Sequence, residues 1–134
     1  MSCLFCEITA GNIPSRKVYE DDKVLAFMDI SPVSKGHVLV IPKNHTASFL
    51  EAEPEDLQAV FAAAQKIAKH MEETLGFEGI NILSNAGEAT GQTVPHFHVH
   101  LIPRYNDPAI DKLNLSFSPV EDLDLDQILE TIRL

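Results

Sequence analysis

The sequence predicts an α+β fold, with a mainly antiparallel five-stranded sheet, one long helix and short terminal helices. Five short strand-like segments cluster before and after a single long amphipathic stretch, and links of hairpin length join several of them. A doubly wound parallel sheet, in which strands and helices alternate, is therefore disfavoured. Because so small an open sheet leaves an exposed edge strand, we expect it to pair with a second copy of the chain into a continuous sheet.

The strand predictions rest on runs of aliphatic and aromatic residues bounded by turn residues. They cover residues 17–19, 24–28, 37–41, 80–84 and 97–102. The acidic turn at residues 20–23 joins the first two strands as a hairpin. His37, which opens the third strand, is able to approach the site, but we expect a partly exposed strand-edge residue and do not include it among the site residues.

The long helix is predicted over residues 54–75, where apolar residues recur at three- and four-residue spacing on one face. Pro54 suits the first turn of a helix, Glu55 and Asp56 complement its dipole, and Gly76 marks its end. A short terminal helix is predicted after Asp122, where acidic residues precede an apolar run.

The chain has 134 residues, of which 45% are hydrophobic and 22% are charged. This composition is typical of one globular domain, which we expect to span residues 1–106. From Asp107 onwards Pro and Asp become frequent and the aliphatic strands stop. Residues 107–134 are therefore predicted to form a C-terminal tail that packs on the same domain or on a dimer partner.

The formal net charge of −10 repels a nucleic-acid backbone, so a nucleic-acid scaffold is disfavoured, although a single small nucleotide is a feasible ligand. The apolar runs are far shorter than the ~18 residues of a membrane helix, and no basic and apolar leader precedes Cys3. The two cysteines are too few for a disulfide framework. We expect a cytoplasmic protein that binds neither nucleic acid nor membranes.

The most informative segment places His96, His98 and His100 at alternate positions of a predicted strand. Alternate residues of a strand share one face, and a rise of about 3.3 Å per residue separates successive imidazoles by roughly 6 to 7 Å. All three histidines are thus expected to surround one anion or metal, while Phe97, Val99 and Leu101 face the core.

Three imidazoles on one face suit two chemistries, and the spacing does not decide between them. They are able to hold a metal that activates water. Alternatively, the middle histidine is a nucleophile whose neighbours bind the charge that develops on a phosphoryl group. The structural alternative is a strand with one polar face, but Ser, Thr or Lys would serve there without a group that titrates near neutrality.

A glycine-containing loop precedes the histidines and runs from Asn85 through Gly91 to Gln92 and Thr93. Glycines let the backbone approach a ligand closely. Such a loop alone is usually just a turn between strands. Beside three histidines it indicates the anion-binding side of a site.

The segment His96-Phe-His-Val-His-Leu-Ile102 resembles the His-x-His-x-His motif of the histidine triad (HIT) superfamily. Other landmarks of that family occur in the same order, at residues 13–14, 18–22, 26–32, 36–45, 85 and 91–93. The resemblance covers residues 3 to about 105 and is strongest to the Hint-type branch of adenosine phosphoramidases and their bacterial relatives. His100 stands where the nucleotidylyltransferase branch has Gln, which argues against that branch.

The resemblance implies a HIT-like fold and hydrolysis of AMP-X or GMP-X compounds at the α-phosphorus through a covalent nucleotidyl-histidine intermediate. His98 would be the nucleophile, His100 would donate to a nonbridging phosphate oxygen, and Thr93 would assist the leaving group. The implied partner is a purine nucleoside monophosphate or its amidate or ester, and no catalytic metal is expected.

The resemblance also implies a nucleotide pocket, in which Asp29 accepts from the ribose hydroxyls. The implied set is Leu4, Phe5, Ile8, Phe27, Asp29, Ile30, Asn85, Gly91, Gln92, Thr93, His98 and His100. The sequence departs from the commonest family pattern at Thr93, where many members have Ser. It also departs at Pro95, which removes a backbone donor where an aromatic residue is frequent.

A second group consists of Cys3 and Cys6 together with His45 and His96. Two thiolates and two imidazoles suit tetrahedral zinc, and in a Hint-type subset that this chain resembles these positions bind structural zinc. His96 would then be a metal ligand and not a catalytic group. Inert buried thiols and a redox pair are the alternatives.

Two other functions stay open from the sequence. One is a nucleotide-binding regulatory or interaction module that keeps the pocket but has little catalysis. The other is a zinc hydrolase that uses His96, His98 and His100 as ligands. AMP binding without measurable hydrolysis would favour the module, and activity that a chelator abolishes without loss of fold, and that metal restores, would support the zinc hydrolase.

Overall fold

The protein is an open antiparallel sheet with helices on its faces; the computed structural model describes residues 3–134. The strands occur in the spatial order β1-β2-β3-β5-β4, and every neighbouring pair is antiparallel. In chain order the elements are α1 (Leu4–Thr9), β1 (Lys17–Glu20), β2 (Val24–Met28), β3 (Val38–Pro42), α2 (Pro54–Leu75), β4 (Gly79–Leu83), β5 (Val99–Arg104) and α3 (Leu125–Ile132). The predicted α+β class and five-stranded antiparallel sheet are confirmed.

Helix α2 covers one face of the sheet. Pro54 begins it, and Gly76 ends it in the left-handed conformation, with φ of 65°. Its buried stripe packs on alternate residues of the strands in a core of Val24, Ala26, Val38, Val40, Val60, Ala63, Ala64, Ile67, Met71, Phe97, Val99 and Leu101. Phe61, one of the apolar residues at helical spacing that we expected in the buried stripe, is instead 40% exposed beside β4.

Helix α1 lies on the opposite face, where it buries Phe5 and Ile8. These side chains pack with the other set of alternate strand residues, Leu25, Phe27, Leu39 and Ile41. Strands β2 and β3 are therefore covered on both faces, which explains why they are almost continuously apolar in sequence. This second face carries the functional site.

The tail meets the domain only at its beginning, within the part of the chain that the structure describes. Asp111 forms an isolated antiparallel bridge with Ser34, and Lys112 donates its backbone N–H to Val33. Residues 114–134, which include α3, are exposed in the single chain. The packing of this part of the tail on the same domain or on a dimer partner stays a prediction. No helix within residues 3–134 is long and apolar enough to cross a membrane.

Candidate active site and metal centre

A cavity of about 480 Å³ opens between α1, the end of β2 and the histidine segment. Its volume falls in the range of small-molecule sites, roughly 300 to 1,000 Å³. Nine of the residues predicted for nucleotide binding line it: Leu4, Phe5, Ile8, Phe27, Asp29, Ile30, Thr93, His98 and His100. These nine residues supply an apolar wall, one carboxylate, one hydroxyl and two imidazoles, and Ser15, Arg16, Ser31 and His37 also line the cavity.

Three residues predicted for nucleotide binding, Asn85, Gly91 and Gln92, do not line this cavity. The Gln92 amide holds the loop together: its Oε1 accepts from the Gly87 backbone N–H at 2.8 Å, and its Nε2 donates to the Ala47 carbonyl at 2.8 Å. Both polar atoms of the Gln92 side chain are therefore used in hydrogen bonds that stabilise the loop. Nucleotide binding by these three residues stays a prediction.

The three histidines of the motif lie on the α1 side of the sheet, since Phe5 packs against both His96 and His98, but their rings belong to two groups of contacts. The rings of His98 and His100 lie with centroids 5.0 Å apart, whereas His96 turns away, with its Nδ1 3.4 Å from the Cys3 Sγ. The reason is that Cys3, Cys6 and His45 converge on the His96 ring, which separates it from the other two. The expectation of three imidazoles around one ligand is corrected, although the alternation of the segment holds, because Phe97 packs in the α2 core with Val99 and Leu101. Phe97, Val99 and Leu101 face the core as predicted.

Hydrogen bonds fix the protonation of His98. Its Nδ1–H donates to the His96 carbonyl at 2.7 Å, because a carbonyl oxygen only accepts. Burial lowers the pKa of His98 below its usual 6.5, so the ring is neutral near pH 7 and Nε2 carries a free lone pair. Phe5 packs edge-on against this ring at 5.0 Å, and Ser84 donates to the His98 carbonyl at 2.7 Å.

His37 joins the site, contrary to the sequence expectation of an exposed strand-edge residue. It is 3% exposed, and its Nδ1 accepts from the Val33 backbone N–H at 3.2 Å. The proton of the neutral ring therefore sits on Nε2, from which it donates to the His100 Nδ1 at 2.9 Å. His100 must then carry its own proton on Nε2.

This arrangement makes His100 a neutral donor. Burial, followed by the neighbouring His98 and His37, lowers the pKa of His100 to about 4. A signal for His37 was present in the sequence, since His37 alternates with Leu39 and Ile41, which face α1. What the sequence did not show is that Leu39 pairs with His100 across β3 and β5, which brings His37 within reach of His100 on the same face.

Asp29 lies at the edge of the histidine chain. Its Oδ1 accepts from the Ser31 backbone N–H at 2.8 Å, and its Oδ2 is 3.6 Å from the His37 Nε2. Asp29, His37 and His100 bring potential metal-ligating atoms within 4.8 Å of one another. However, the His37 Nε2 is protonated, because a backbone N–H already occupies Nδ1, so this set favours a hydrogen-bonded chain over a metal site.

The second convergent set is Cys3, Cys6, His45 and His96. The His96 Nδ1 lies 3.4 Å from the Cys3 Sγ and 3.5 Å from the Cys6 Sγ. The His45 Nδ1 lies 3.4 Å from the Cys6 Sγ and 3.2 Å from the His96 Nδ1. A tetrahedral zinc ion with ordinary bond lengths separates its nitrogen and sulfur ligands by roughly 3.3 to 3.6 Å. The four side chains therefore fit a tetrahedral metal.

The surrounding groups favour the same conclusion. The His96 Nε2–H donates to the Pro42 carbonyl at 2.9 Å, which leaves Nδ1 free to ligate, a usual arrangement around metal-bound histidines. Burial and the neighbouring Cys3 raise the pKa of the Cys6 thiol to about 11. A bound metal would lower this pKa, because the thiolate is the form that ligates.

Neither ligand set contains all three histidines of the motif. Among residues 3–134 the convergent sets are the two described above, and His98 belongs to neither. The geometry thus disfavours a zinc hydrolase built on His96, His98 and His100. In the structure, His96 belongs to the Cys₂His₂ set, whereas His98 and His100 face the cavity.

The fold and site together define a class of protein, a small α+β domain whose sheet carries a neutral histidine pair beside a Cys₂His₂ ligand set. The chain belongs to the HIT family, since residues 10–107 match the HIT domain.

Relatives share the sequence over much of the chain. An uncharacterised HIT-like protein of Methanocaldococcus jannaschii is 44% identical over 131 residues, which cover 98% of each chain. The adenosine 5′-monophosphoramidase of Schizosaccharomyces pombe is 43% identical over 107 residues, 80% of this chain and 77% of that protein.

Solved structures share the fold. A HIT family protein from Bacillus anthracis superimposes with a TM-score of 0.91 at 44% identity, covering 98% of this chain and 94% of that one. A histidine triad nucleotide-binding protein from Candida albicans superimposes with a TM-score of 0.84 at 36% identity, covering 97% and 92%. The first match extends over the tail as well as the domain.

Proposed function

We propose that this protein is a nucleotide hydrolase that cleaves purine nucleoside phosphoramidates and related AMP-X or GMP-X compounds at the α-phosphorus. The observation that carries the proposal is the protonation of His98, whose Nδ1–H is held by the His96 carbonyl so that Nε2 offers a lone pair to the cavity. The name of the S. pombe relative, an adenosine 5′-monophosphoramidase, supports the same reaction class.

In the first step the His98 Nε2 attacks the α-phosphorus, and the bond from phosphorus to the leaving nitrogen breaks. The leaving amine takes up a proton as it departs, and Thr93, whose side chain lines the cavity, is placed to pass it on. The attacking imidazole becomes cationic, and its Nδ1–H bond to the His96 carbonyl is then charge-assisted and stronger. This bond stabilises the covalent nucleotidyl-histidine.

In the second step water attacks the same phosphorus, the bond to the His98 Nε2 breaks and the nucleoside monophosphate leaves. The proton that water loses balances the one that the amine gained. The His100 Nε2–H donates to a nonbridging oxygen in both steps, and His37 orients it from behind. Because His100 is a neutral donor, it stabilises charge that develops on oxygen without giving up its proton.

The rest of the cavity suits a nucleoside. The free Oδ2 of Asp29 is able to accept from a ribose hydroxyl, since Oδ1 is already occupied by Ser31. Phe5 and Phe27, whose rings meet edge-on at 5.5 Å, form an apolar wall with Leu4 and Ile8 for a purine. Ile30 lines the rim and is 86% exposed.

The experiment is to incubate the purified protein with adenosine 5′-phosphoramidate and to measure AMP release by chromatography. We expect His98→Ala to lower turnover by more than ~10³-fold and to leave AMP binding, measured by calorimetry, nearly unchanged. Retained turnover in this variant would contradict covalent catalysis by His98.

The alternative is a nucleotide-binding regulatory module. AMP binding without hydrolysis of any amidate, adenylate or dinucleoside polyphosphate would support it. A parallel incubation with a chelator tests a catalytic metal, because we expect release to continue as long as the protein stays folded. Loss of activity on chelation with the fold intact, and its return with metal, would support the zinc hydrolase.

We also propose that the Cys3, Cys6, His45 and His96 centre holds structural zinc, which when bound supplies a cross-link between α1 and the sheet. Zinc thiolates and reduced cysteines suit a cytoplasmic location. The assembly that we propose is a homodimer, formed by pairing the edge strands β4 of two chains, with the exposed tail packed on the partner. Elemental analysis of the purified protein tests the zinc.

A further inference from the structure

We infer that the Cys3–Cys6–His45–His96 centre is a positioning device for the His98 nucleophile, acting through the His96 main chain. The inference rests on the proposed function, in that it takes His98 to be the group that attacks phosphorus. It assigns the metal centre a part in catalysis without contact between the metal and the substrate.

His96 has two roles in the structure. Its ring offers Nδ1 to the cysteines and is anchored at Nε2 by the Pro42 carbonyl. Its main-chain carbonyl accepts the Nδ1–H of His98 at 2.7 Å. One residue therefore connects the metal-ligating set to the hydrogen bond that fixes the reactive tautomer, and a shift of the His96 main chain changes the aim of the His98 Nε2.

The segment around His96 lies outside the strand ladder, so a few individual contacts hold that carbonyl. Residues 91–98 precede the β5 ladder, which starts at Val99. The backbone N–H of His96 donates to the Val94 carbonyl at 2.9 Å, and the Phe97 N–H, in the same peptide group as the His96 carbonyl, donates to the Thr46 carbonyl at 2.8 Å. A metal bonded to Nδ1 would fix the ring, and with it the main chain, far more firmly than hydrogen bonds to thiols do.

A second contact runs through helix α1. This helix has only six residues, too few to be stable without tertiary support, and ligands Cys3 and Cys6 lie at its first turn. Between them Phe5 packs edge-on against His96 at 5.8 Å and against His98 at 5.0 Å. A metal that holds both cysteines would thereby press Phe5 against the nucleophilic ring.

The test compares two substitutions of His45, an exposed ligand that does not line the nucleotide cavity. Both remove the same imidazole. His45→Cys gives a Cys₃His set, which still suits tetrahedral zinc, whereas His45→Ala leaves three ligands. Full-length wild type and both variants are purified with Zn²⁺ present, their zinc content is measured, and their fold is checked by circular dichroism.

Two readouts are taken. The first compares kcat, measured with adenosine 5′-phosphoramidate as substrate, with the dissociation constant of AMP. The second is ¹⁵N NMR of the His98 imidazole, assigned with His98→Ala, which reports directly whether Nδ1 or Nε2 carries the proton. We expect His45→Cys to retain zinc, a single Nδ1–H signal and kcat. We expect His45→Ala to lose zinc and the single tautomer, and to lower kcat by ~10-fold or more with AMP affinity changed less than ~3-fold.

The inference is overturned if zinc-free His45→Ala keeps the Nδ1–H tautomer and kcat, or if kcat and AMP affinity fall together while the NMR signal stays the same. That second outcome would mean a purely structural metal. If the wild type hydrolyses no amidate, the proposed function fails, but the tautomer comparison between the two variants still decides whether the metal positions His98.

Discussion

The protonation of three buried histidines is the chemical feature of this site at the scale of single residues. A backbone N–H at Val33 sets the proton of His37, His37 sets that of His100, and the His96 carbonyl sets that of His98. The bonds of Val33 to His37 and of His37 to His100 follow one another and leave the His100 Nε2–H as a donor. The bond of His98 to the His96 carbonyl leaves a lone pair on the His98 Nε2. An attacking nitrogen and an oxyanion donor thus lie side by side, with ring centroids 5.0 Å apart.

The first prediction concerns the pH dependence of hydrolysis. Because burial lowers the pKa of His98 below 6.5 and that of His100 to about 4, the nucleophile stays neutral in mildly acidic solution. We expect the acid limb of kcat/KM to have its midpoint below pH 6.5, and a bound dication nearby would lower that midpoint further.

The measurement uses an N-substituted adenosine phosphoramidate whose phosphate does not ionise between pH 4 and 8. Circular dichroism at each pH separates the titration from unfolding. An acid limb centred at or above pH 6.5 would mean that His98 is not held neutral by burial, and would contradict the protonation scheme.

At the scale of elements, β5 is connected to the start of the tail by a buried carboxylate. Asp111, whose side chain is 4% exposed, accepts from the Arg104 Nε and the Tyr105 backbone N–H, both at 2.9 Å, and from the Leu113 backbone N–H at 3.2 Å. Arg104 also donates to the Asn81 side chain on β4 at 2.7 Å. This group of contacts fixes the end of β5, the strand next to the edge strand β4.

The second prediction concerns the acid stability of this group. The Tyr105 backbone N–H and Arg104 lower the pKa of Asp111 below its usual 3.8, so its stabilisation is present above pH 3.8 and is lost as the pH falls through the lower folded value. We expect Asp111→Asn to lower the free energy of unfolding at pH 7 by about 1 to 3 kcal/mol.

Urea unfolding of both proteins between pH 7 and pH 3 provides the measurement. The difference in stability between wild type and variant is expected to narrow as the pH drops below 3.8. Asp107→Asn is a suitable control, because Asp107 is an exposed carboxylate in the same segment. A constant difference across the whole range would show that the charge of Asp111 contributes nothing.

At the scale of the whole molecule, the two edges of the sheet differ. Beside β4 lies an apolar groove of about 370 Å³, lined by Phe61, Ala64, Ala68, Phe77, Ile80, Ile82 and Leu101 among others. Ile82 is 52% exposed and Phe61 40% exposed. An edge strand with an apolar flank favours pairing with another strand, and an isologous contact of two β4 strands would extend the antiparallel sheet without interruption.

The third prediction tests this assembly. We expect the wild type to be a dimer by light scattering coupled to gel filtration, and Ile82→Lys to be a monomer at micromolar concentration. Val18→Lys is the matched control, since Val18 is 42% exposed on β1, the opposite edge strand, and this variant should remain dimeric. A monomeric wild type, or dissociation by Val18→Lys alone, would contradict pairing through β4.

Much of the fold and of the site was predictable from the sequence, because it depends on local patterns. The 3.6-residue period and the flanking Pro54 and Gly76 fix α2, and short aliphatic runs fix the strands within two residues of their observed bounds. The nucleotide-cavity residues on α1 and β2 came from the resemblance to the HIT family and not from periodicity. Asn85, Gly91 and Gln92 were not found at the cavity.

The sequence by itself determined the five strands, the long helix and which residue types carry the chemistry. The spacing of the histidines did not show how they divide; the resemblance implied it, and only the tertiary structure supplied the contacts. The hydrogen bond from His37 to His100 joins residues 63 positions apart, and the contact of Cys3 with His96 spans 93. Such contacts depend on which strands pair and on how α1 packs against the sheet. The spacing of residues along the chain does not show either of these. The protonation of His98, set by one carbonyl outside the ladder, is therefore a property of the folded chain.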